Sequence, residues 1–73
     1  MNVRFDTIKN SDGTEYDRTA NASGNWQVIF KTKDDLDYCR ETKPGSWSRE
    51  KIKKWTEIAV NEYGLGGAVI QKW

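Results

Sequence analysis

The residues that could carry chemistry in this 73-residue chain are few, and each lacks the partner that its chemistry needs. Cys39 is the single cysteine and histidine is absent, so a thiolate nucleophile would have no imidazole base beside it. The same two facts exclude an internal disulfide and a Cys/His zinc site. We therefore interpret Cys39 as a buried, inert side chain, and we expect the protein not to be an enzyme.

Two further motifs resemble ligand-binding sites. Asp34, Asp35 and Asp37 could suggest a cation site, but they do not form the spaced Asp/Asn loop with a following Glu that binds calcium. The run Gly64-Leu65-Gly66-Gly67 follows a predicted helix instead of leading a strand into one, so no helix N-terminus would face a phosphate. We predict helix capping for both motifs, with no metal and no cofactor.

What remains is a surplus of aromatic side chains close to positive charge. The chain has four Trp, three Tyr and two Phe. Exposed Trp, Tyr and Arg are the residue types enriched at the centres of protein interfaces. Trp47 could alternatively close the start of a helix, and Trp73 could simply end a sheet. The residues that we predict to bind a partner are Tyr38, Arg40, Lys43, Trp47, Arg49 and Trp73.

The charge distribution separates two function classes. The chain carries 12 basic and 11 acidic side chains, a net charge of +1; residues 1–42 hold six basic and eight acidic groups, and residues 43–73 hold six basic and three acidic. Dedicated nucleic-acid domains are usually more basic. We therefore favour a protein-binding module. The alternative is a small nucleic-acid-binding regulator that stacks bases on Trp and Tyr and places lysines on phosphates. A salt titration would separate the two classes.

The elements that must position these residues follow from periodicity. Alternation of apolar and polar side chains predicts strands, and Thr32 followed by Asp35 resembles a capping box that would begin a short helix. The polar stretch 14–24 is either a short ragged strand around Tyr16 or a mobile loop. We predict strands at Asn2–Ile8, Asn25–Thr32 and Ala68–Trp73, and a short helix at Lys33–Glu41 with Leu36, Cys39 and Arg40 on its inner side.

The longest periodic segment is Arg49–Tyr63, which we predict to be a helix that begins after Ser48 as N-cap and stops at Gly64. Its apolar stripe at helical spacing comprises Ile52, Trp55, Ile58, Ala59 and Tyr63. The predicted fold class is α+β, in one domain over residues 1–73. It consists of a small antiparallel or mixed sheet of about three strands, packed against one long C-terminal helix, with a short extra helix.

Location follows from what the sequence lacks. Residues 1–6 carry no apolar signal segment, and no run approaches the roughly 18 apolar residues that span a membrane. A single cysteine is typical of a reducing compartment. We expect a cytoplasmic, monomeric protein.

Over its whole length the chain resembles a small phage-encoded transcription regulator. The similarity runs from Met1-Asn2-Val3-Arg4-Phe5 through Ser46-Trp47-Ser48-Arg49 to Gln71-Lys72-Trp73, and the phage concerned infects Xanthomonas. The resemblance implies binding to host RNA polymerase at the N-terminal region of its β′ subunit, with the β subunit as an additional candidate contact. It also implies inhibition of initiation by displacement of the σ factor, and antitermination during elongation. Nucleic acid would then be contacted only indirectly.

Overall fold

A computed structural model describes residues 2–20 and 22–73 and contains six strands and one helix in that part of the chain. Their bounds, in chain order, are β1 Asn2–Phe5, β2 Thr7–Lys9, β3 Glu15–Asp17, β4 Trp26–Lys31, β5 Asp37–Lys43, α1 Arg49–Tyr63 and β6 Gly67–Lys72. Strands β1, β6, β4 and β5 form, in that order, a four-stranded mixed sheet. Strands β2 and β3 form a separate antiparallel pair.

The sheet is mixed because the strand that comes first in the chain, β1, pairs in parallel with the strand that comes last, β6. β1 runs parallel to β6, with Val3 opposite Ala68, whereas β4 runs antiparallel to both β6 and β5. The central strands are rich in the β-branched and aromatic residues that suit a pleated surface. β6 lies inside the sheet because β1 and β4 flank it, whereas β5 pairs only with β4 and forms an edge.

The core lies between the sheet and α1. From β4 it takes Trp26, Val28 and Phe30, as their alternation predicts, and from β6 Ala68 and Ile70. The core side of the helix is Ile52, Thr56, Ala59 and Val60. The Thr56 hydroxyl donates a hydrogen bond to the Ile52 carbonyl at 2.7 Å, which satisfies its polar atom inside the core.

The buried stripe of α1 is therefore rotated from the predicted one. Ile52 and Ala59 are buried as expected, but Ile58 and Tyr63 are about half exposed, at 51% and 48%. Trp55 is partly buried beside the core. The bounds of α1 are those predicted, with the Ser48 side chain accepting from the Lys51 amide and Gly64 in the left-handed conformation at φ 69°.

The predicted short helix at 33–41 is wrong, and so is the count of about three strands. Residues 37–43 are strand β5, joined to β4 by a tight turn. The Thr32 amide donates to the Leu36 carbonyl, the Leu36 amide donates to the Thr32 hydroxyl, and Asp35 has φ 63°. The residues taken for a capping box thus close a hairpin, because β4 needs an antiparallel partner and a nine-residue helix has little intrinsic stability.

The N-terminal segment differs in a second way. The single strand predicted over 2–8 is interrupted at Asp6, after which Thr7–Lys9 leaves the main sheet and pairs with Glu15–Asp17. The short strand around Tyr16 therefore exists. No helix in residues 2–20 and 22–73 is both long and apolar enough to cross a membrane.

Candidate partner-binding surfaces

Exposed apolar side chains gather where the edge strand β5 faces α1. β5 residues Cys39, Glu41 and Lys43 pair with Phe30, Val28 and Trp26, so they point to the helix side of the sheet. From α1, Trp55 contacts Lys43 and Tyr63 contacts Glu41 on these strand positions. We call this the β5–helix surface and define it by Tyr38, Glu41, Lys43, Trp47, Trp55 and Tyr63.

Tyr38 stands out on this surface because it has no partner on β4. Phe30 is opposite Cys39 and the next residue, Lys31, is opposite Asp37, so Tyr38 is the extra residue of a β-bulge. Its side chain is 62% exposed. Together with its neighbours on β5 and with Tyr63 it lines a shallow groove of about 360 Å³.

A hydrogen bond connects the two walls of this groove. The Tyr63 hydroxyl donates to Glu41 Oε2 at 3.3 Å. The negative charge of Glu41, followed by partial desolvation, raises the pKa of Tyr63 above its ordinary value of 10.0. The groove therefore keeps a neutral phenol beside a carboxylate at physiological pH.

Cations and indole rings continue the surface toward the start of α1. The Trp47 and Trp55 ring centres are 6.2 Å apart in an edge-to-face arrangement. The Lys43 ammonium lies 4.4 Å from the Trp55 ring centre, and the Lys51 ammonium 4.5 Å from that of Trp47. These cation–π contacts cover the ring faces that stacked bases would need.

Two of the predicted residues, Arg49 and Trp73, lie beside the β2–β3 hairpin and the residues that follow it. Arg49 is the centre of a separate group: its guanidinium lies 3.9 Å from the Phe5 ring centre and bonds Asp17 Oδ2 and Thr19 Oγ1, each at 2.5 Å. Trp73, 54% exposed, has the Arg18 guanidinium 4.1 Å from its ring centre. We call Asp17, Arg18, Arg49 and Trp73 the hairpin surface, because it ties the β2–β3 hairpin to the helix and to β6.

The Asp17 carboxylate is the electrostatic centre of the hairpin surface. Desolvation alone would raise its pKa, but hydrogen bonds from the Thr19 hydroxyl and amide, together with the Arg49 charge, outweigh it and lower the pKa below 3.8. Arg49 therefore has a role inside the fold, as a clamp between the hairpin and the start of α1.

The structure thus brings together three of the six predicted residues, Tyr38, Lys43 and Trp47, on the β5–helix surface. Arg40 pairs with Ile29, which places it on the opposite face of the sheet, although it also lines the groove beside Tyr38. The sequence interpretation missed Leu36, Ile58 and Tyr63 as surface residues because it placed them on inner helix faces. For Ile58 and Tyr63 the sequence did contain a signal, since the apolar positions of α1 are more numerous than one stripe of a helix can bury.

The described residues contain no cluster of three or more Cys, Asp or Glu side chains placed to hold a metal ion. Comparison with known proteins found no matching family model, no similar curated protein and no similar solved structure.

Proposed function

We propose that this protein is a non-catalytic phage regulator that binds host RNA polymerase in the host cytoplasm. The resemblance described above supports the target, the N-terminal region of β′ with β as an additional candidate contact. One structural observation supports the mode of action. Of the six large apolar side chains exposed in the described chain, two, Tyr38 and Tyr63, line one groove between β5 and α1.

The size of the protein fits a single docking face. Its accessible surface is 4911 Å². A standard interface removes about 800 Å² from each partner, which is about a sixth of that surface. The β5–helix surface has the usual composition of an interface centre, with tyrosines and tryptophans that bury much area at small cost in side-chain entropy. We propose Tyr38 as its anchor, because it is the most exposed aromatic ring there.

Inhibition of initiation then requires only differential affinity. A ligand that binds σ-free polymerase better than the σ-bound enzyme shifts the population toward the σ-free state. A shift from 1:99 to 99:1 needs a preference of about 5.5 kcal/mol. One or two well-packed aromatic anchors supply energies of about this size. Continued occupancy of the elongating enzyme would account for antitermination.

Co-elution of the purified protein with polymerase core tests the proposal. Tyr38→Ala should weaken binding at least tenfold, since interface anchors contribute about 2 kcal/mol or more. The matched control is Tyr16→Ala, which removes another half-exposed tyrosine from the β2–β3 hairpin. The control should bind as the unaltered protein does.

Transcription assays test the consequences of binding. The unaltered protein should reduce σ-dependent open complexes and raise read-through at an intrinsic terminator, and Tyr38→Ala should do neither at the same concentration. Absence of co-elution at micromolar protein would contradict the proposed target. Equal loss of binding in both tyrosine variants would contradict the proposed surface.

A further inference from the structure

The face of the sheet opposite α1 carries an ordered pattern of side chains. The register places Arg4, Val69, Ile29 and Arg40 in one row across the four strands. The rows on either side place Gly67 and Lys31 next to one another, and Gln71, Gln27 and Thr42 next to one another. We call these residues the open sheet face. Helix α1 packs on the other face of the sheet.

The two apolar residues of the central row are nevertheless buried. Ile29 is 7% exposed and Val69 9%. Cross-strand neighbours on one face lie about 5 Å apart. We attribute the burial to the neighbouring side chains, which include the long stems of Arg4 and Arg40. The row therefore has two buried apolar residues between Arg4 and Arg40, whose Cα atoms are about 14 Å apart for three strand spacings.

A cavity of about 530 Å³ opens beside this row. Arg4, Lys31 and Lys33 line it, and Asp35 is its one acidic lining residue. Lys31 is paired with Asp37, whereas neither Arg4 nor Lys33 has a carboxylate within 4.0 Å in residues 2–20 and 22–73. The cavity therefore carries uncompensated positive charge.

Glycine gives the cavity its shape. At Gly66 a Cβ atom would collide with the Thr32 carbonyl, and at Gly67 with the Asn2 carbonyl. These two positions let the β4–β5 turn and β1 approach β6 closely from either side. The positive field at this end of the sheet also acts on Asp37, whose pKa is lowered by its hydrogen bond to Lys31, by the Lys31 charge and by Arg40.

We infer that the open sheet face binds single-stranded RNA, with Arg4 and Arg40 at the two ends of the bound segment and Lys33 at the cavity. Phosphates pair with these cations, and guanidinium planes also stack on unpaired bases. The amide group of Gln27 offers donors and acceptors to base edges and 2′-hydroxyls, whereas that of Gln71 already donates to the Asp6 carboxylate at 3.5 Å. This site is independent of the β5–helix surface, and it departs from the expectation that nucleic acid is contacted only indirectly.

The electrostatics set the expected strength. Three cations make about three phosphate contacts, and each contributes about 0.7 to the slope of log K against log salt for a single strand. The slope should therefore be about −2. Such weak binding is compatible with the net charge of +1.

Fluorescence anisotropy of a labelled 12-nucleotide single-stranded RNA, at 50 to 200 mM salt, tests the inference on the isolated protein. The Arg4→Gln/Arg40→Gln double variant should bind about tenfold more weakly and reduce the slope by about 1.4, since two contacts are lost. The matched control is Lys53→Gln/Lys54→Gln, which removes two charges from the exposed side of α1 and should leave binding unchanged.

NMR shift mapping gives a readout that does not depend on variant folding. Saturating RNA should perturb the amides of Ile29, Val69 and Arg40 of the unaltered protein and leave those of Trp55 and Ile58 unperturbed. The inference is overturned by no binding at 50 mM salt, by equal loss in both double variants, by perturbation on the β5–helix surface, or by tighter binding of the matching DNA. Each of these results would leave polymerase co-elution unaffected, so the two proposals fail separately.

Discussion

The Lys43 ammonium lies 4.4 Å from the centre of the Trp55 ring, and this contact joins the edge strand β5 to the helix α1. β5 pairs with β4 along one side only, so side-chain contacts with α1 are its second attachment. The same contact holds one end of the β5–helix surface in place. The stability of the candidate site and that of the edge strand are therefore coupled.

Lys43→Gln should destabilise the protein by about 0.5 to 1 kcal/mol, because it removes the cation from over Trp55 and from near Trp47. Urea unfolding followed by tryptophan fluorescence measures the change. Lys9→Gln on β2 is the control and should unfold at the same urea concentration as the unaltered protein. An unchanged midpoint for Lys43→Gln would mean that the cation–π contact contributes nothing.

Trp26 should be the most costly aromatic residue to remove. It is 2% exposed, and its indole N–H donates to the Trp47 carbonyl at 2.9 Å. Trp26→Ala should cost about 3 to 5 kcal/mol, which is comparable with the whole stability of a small domain. Circular dichroism should show it largely unfolded at 25 °C, whereas Trp73→Ala should remain folded. A cooperative thermal transition for Trp26→Ala close to that of the unaltered protein would contradict the core described above.

The N-cap of α1 makes a smaller, local contribution. The Ser48 hydroxyl accepts the Lys51 amide at 3.1 Å, so Ser48→Ala should cost about 1 kcal/mol. Ser46→Ala, two residues earlier in the preceding turn, is the matched control and should change stability by less than half of that. Chemical denaturation of the two variants side by side makes the comparison.

Acid should weaken the hairpin surface through Asp17. Its folded-state pKa lies below 3.8, so its contribution is fully present above that value and is lost as the pH falls through the lower folded-state pKa. Between pH 5 and pH 2 the melting temperature should therefore fall more steeply for the unaltered protein than for Asp17→Asn. If the melting temperatures of the two proteins fell equally with decreasing pH, the role assigned to Arg49 and Thr19 would be contradicted.

Alkali should act on the other side of the molecule, through Tyr63. Its pKa is raised by Glu41, so its contribution to stability is complete below pH 10 and is lost as the pH rises through the higher folded-state pKa. Ultraviolet titration should show a late tyrosine transition above pH 10. Glu41→Gln should bring that late transition back toward 10, and Tyr63→Phe should remove it.

Sequence reasoning predicted what local chemistry determines. The alternation of Trp26, Val28 and Phe30 defines a strand face, and Ser48 with Gly64 defines both ends of α1, because capping involves only neighbouring residues. It failed at Thr32–Asp35, where one pattern fits both a capping box and a hairpin turn. Strand pairing decides between the two, because β4 has an edge that residues 37–43 can pair with as a strand. The same limit applied to Arg40, since only its pairing with Ile29 assigns it to a face of the sheet.

The parallel pairing of β1 with β6 has a consequence for how the protein is made. β6 follows all the other described elements in the chain, yet it occupies an interior position between β1 and β4. Until residues 67–72 have emerged, the first strand has no neighbour and the tryptophan side of β4 is only partly covered. Assembly of the sheet must therefore wait for β6, and it should be slow for so small a domain, since the pairing of β1 with β6 joins the two described strands that are farthest apart in sequence.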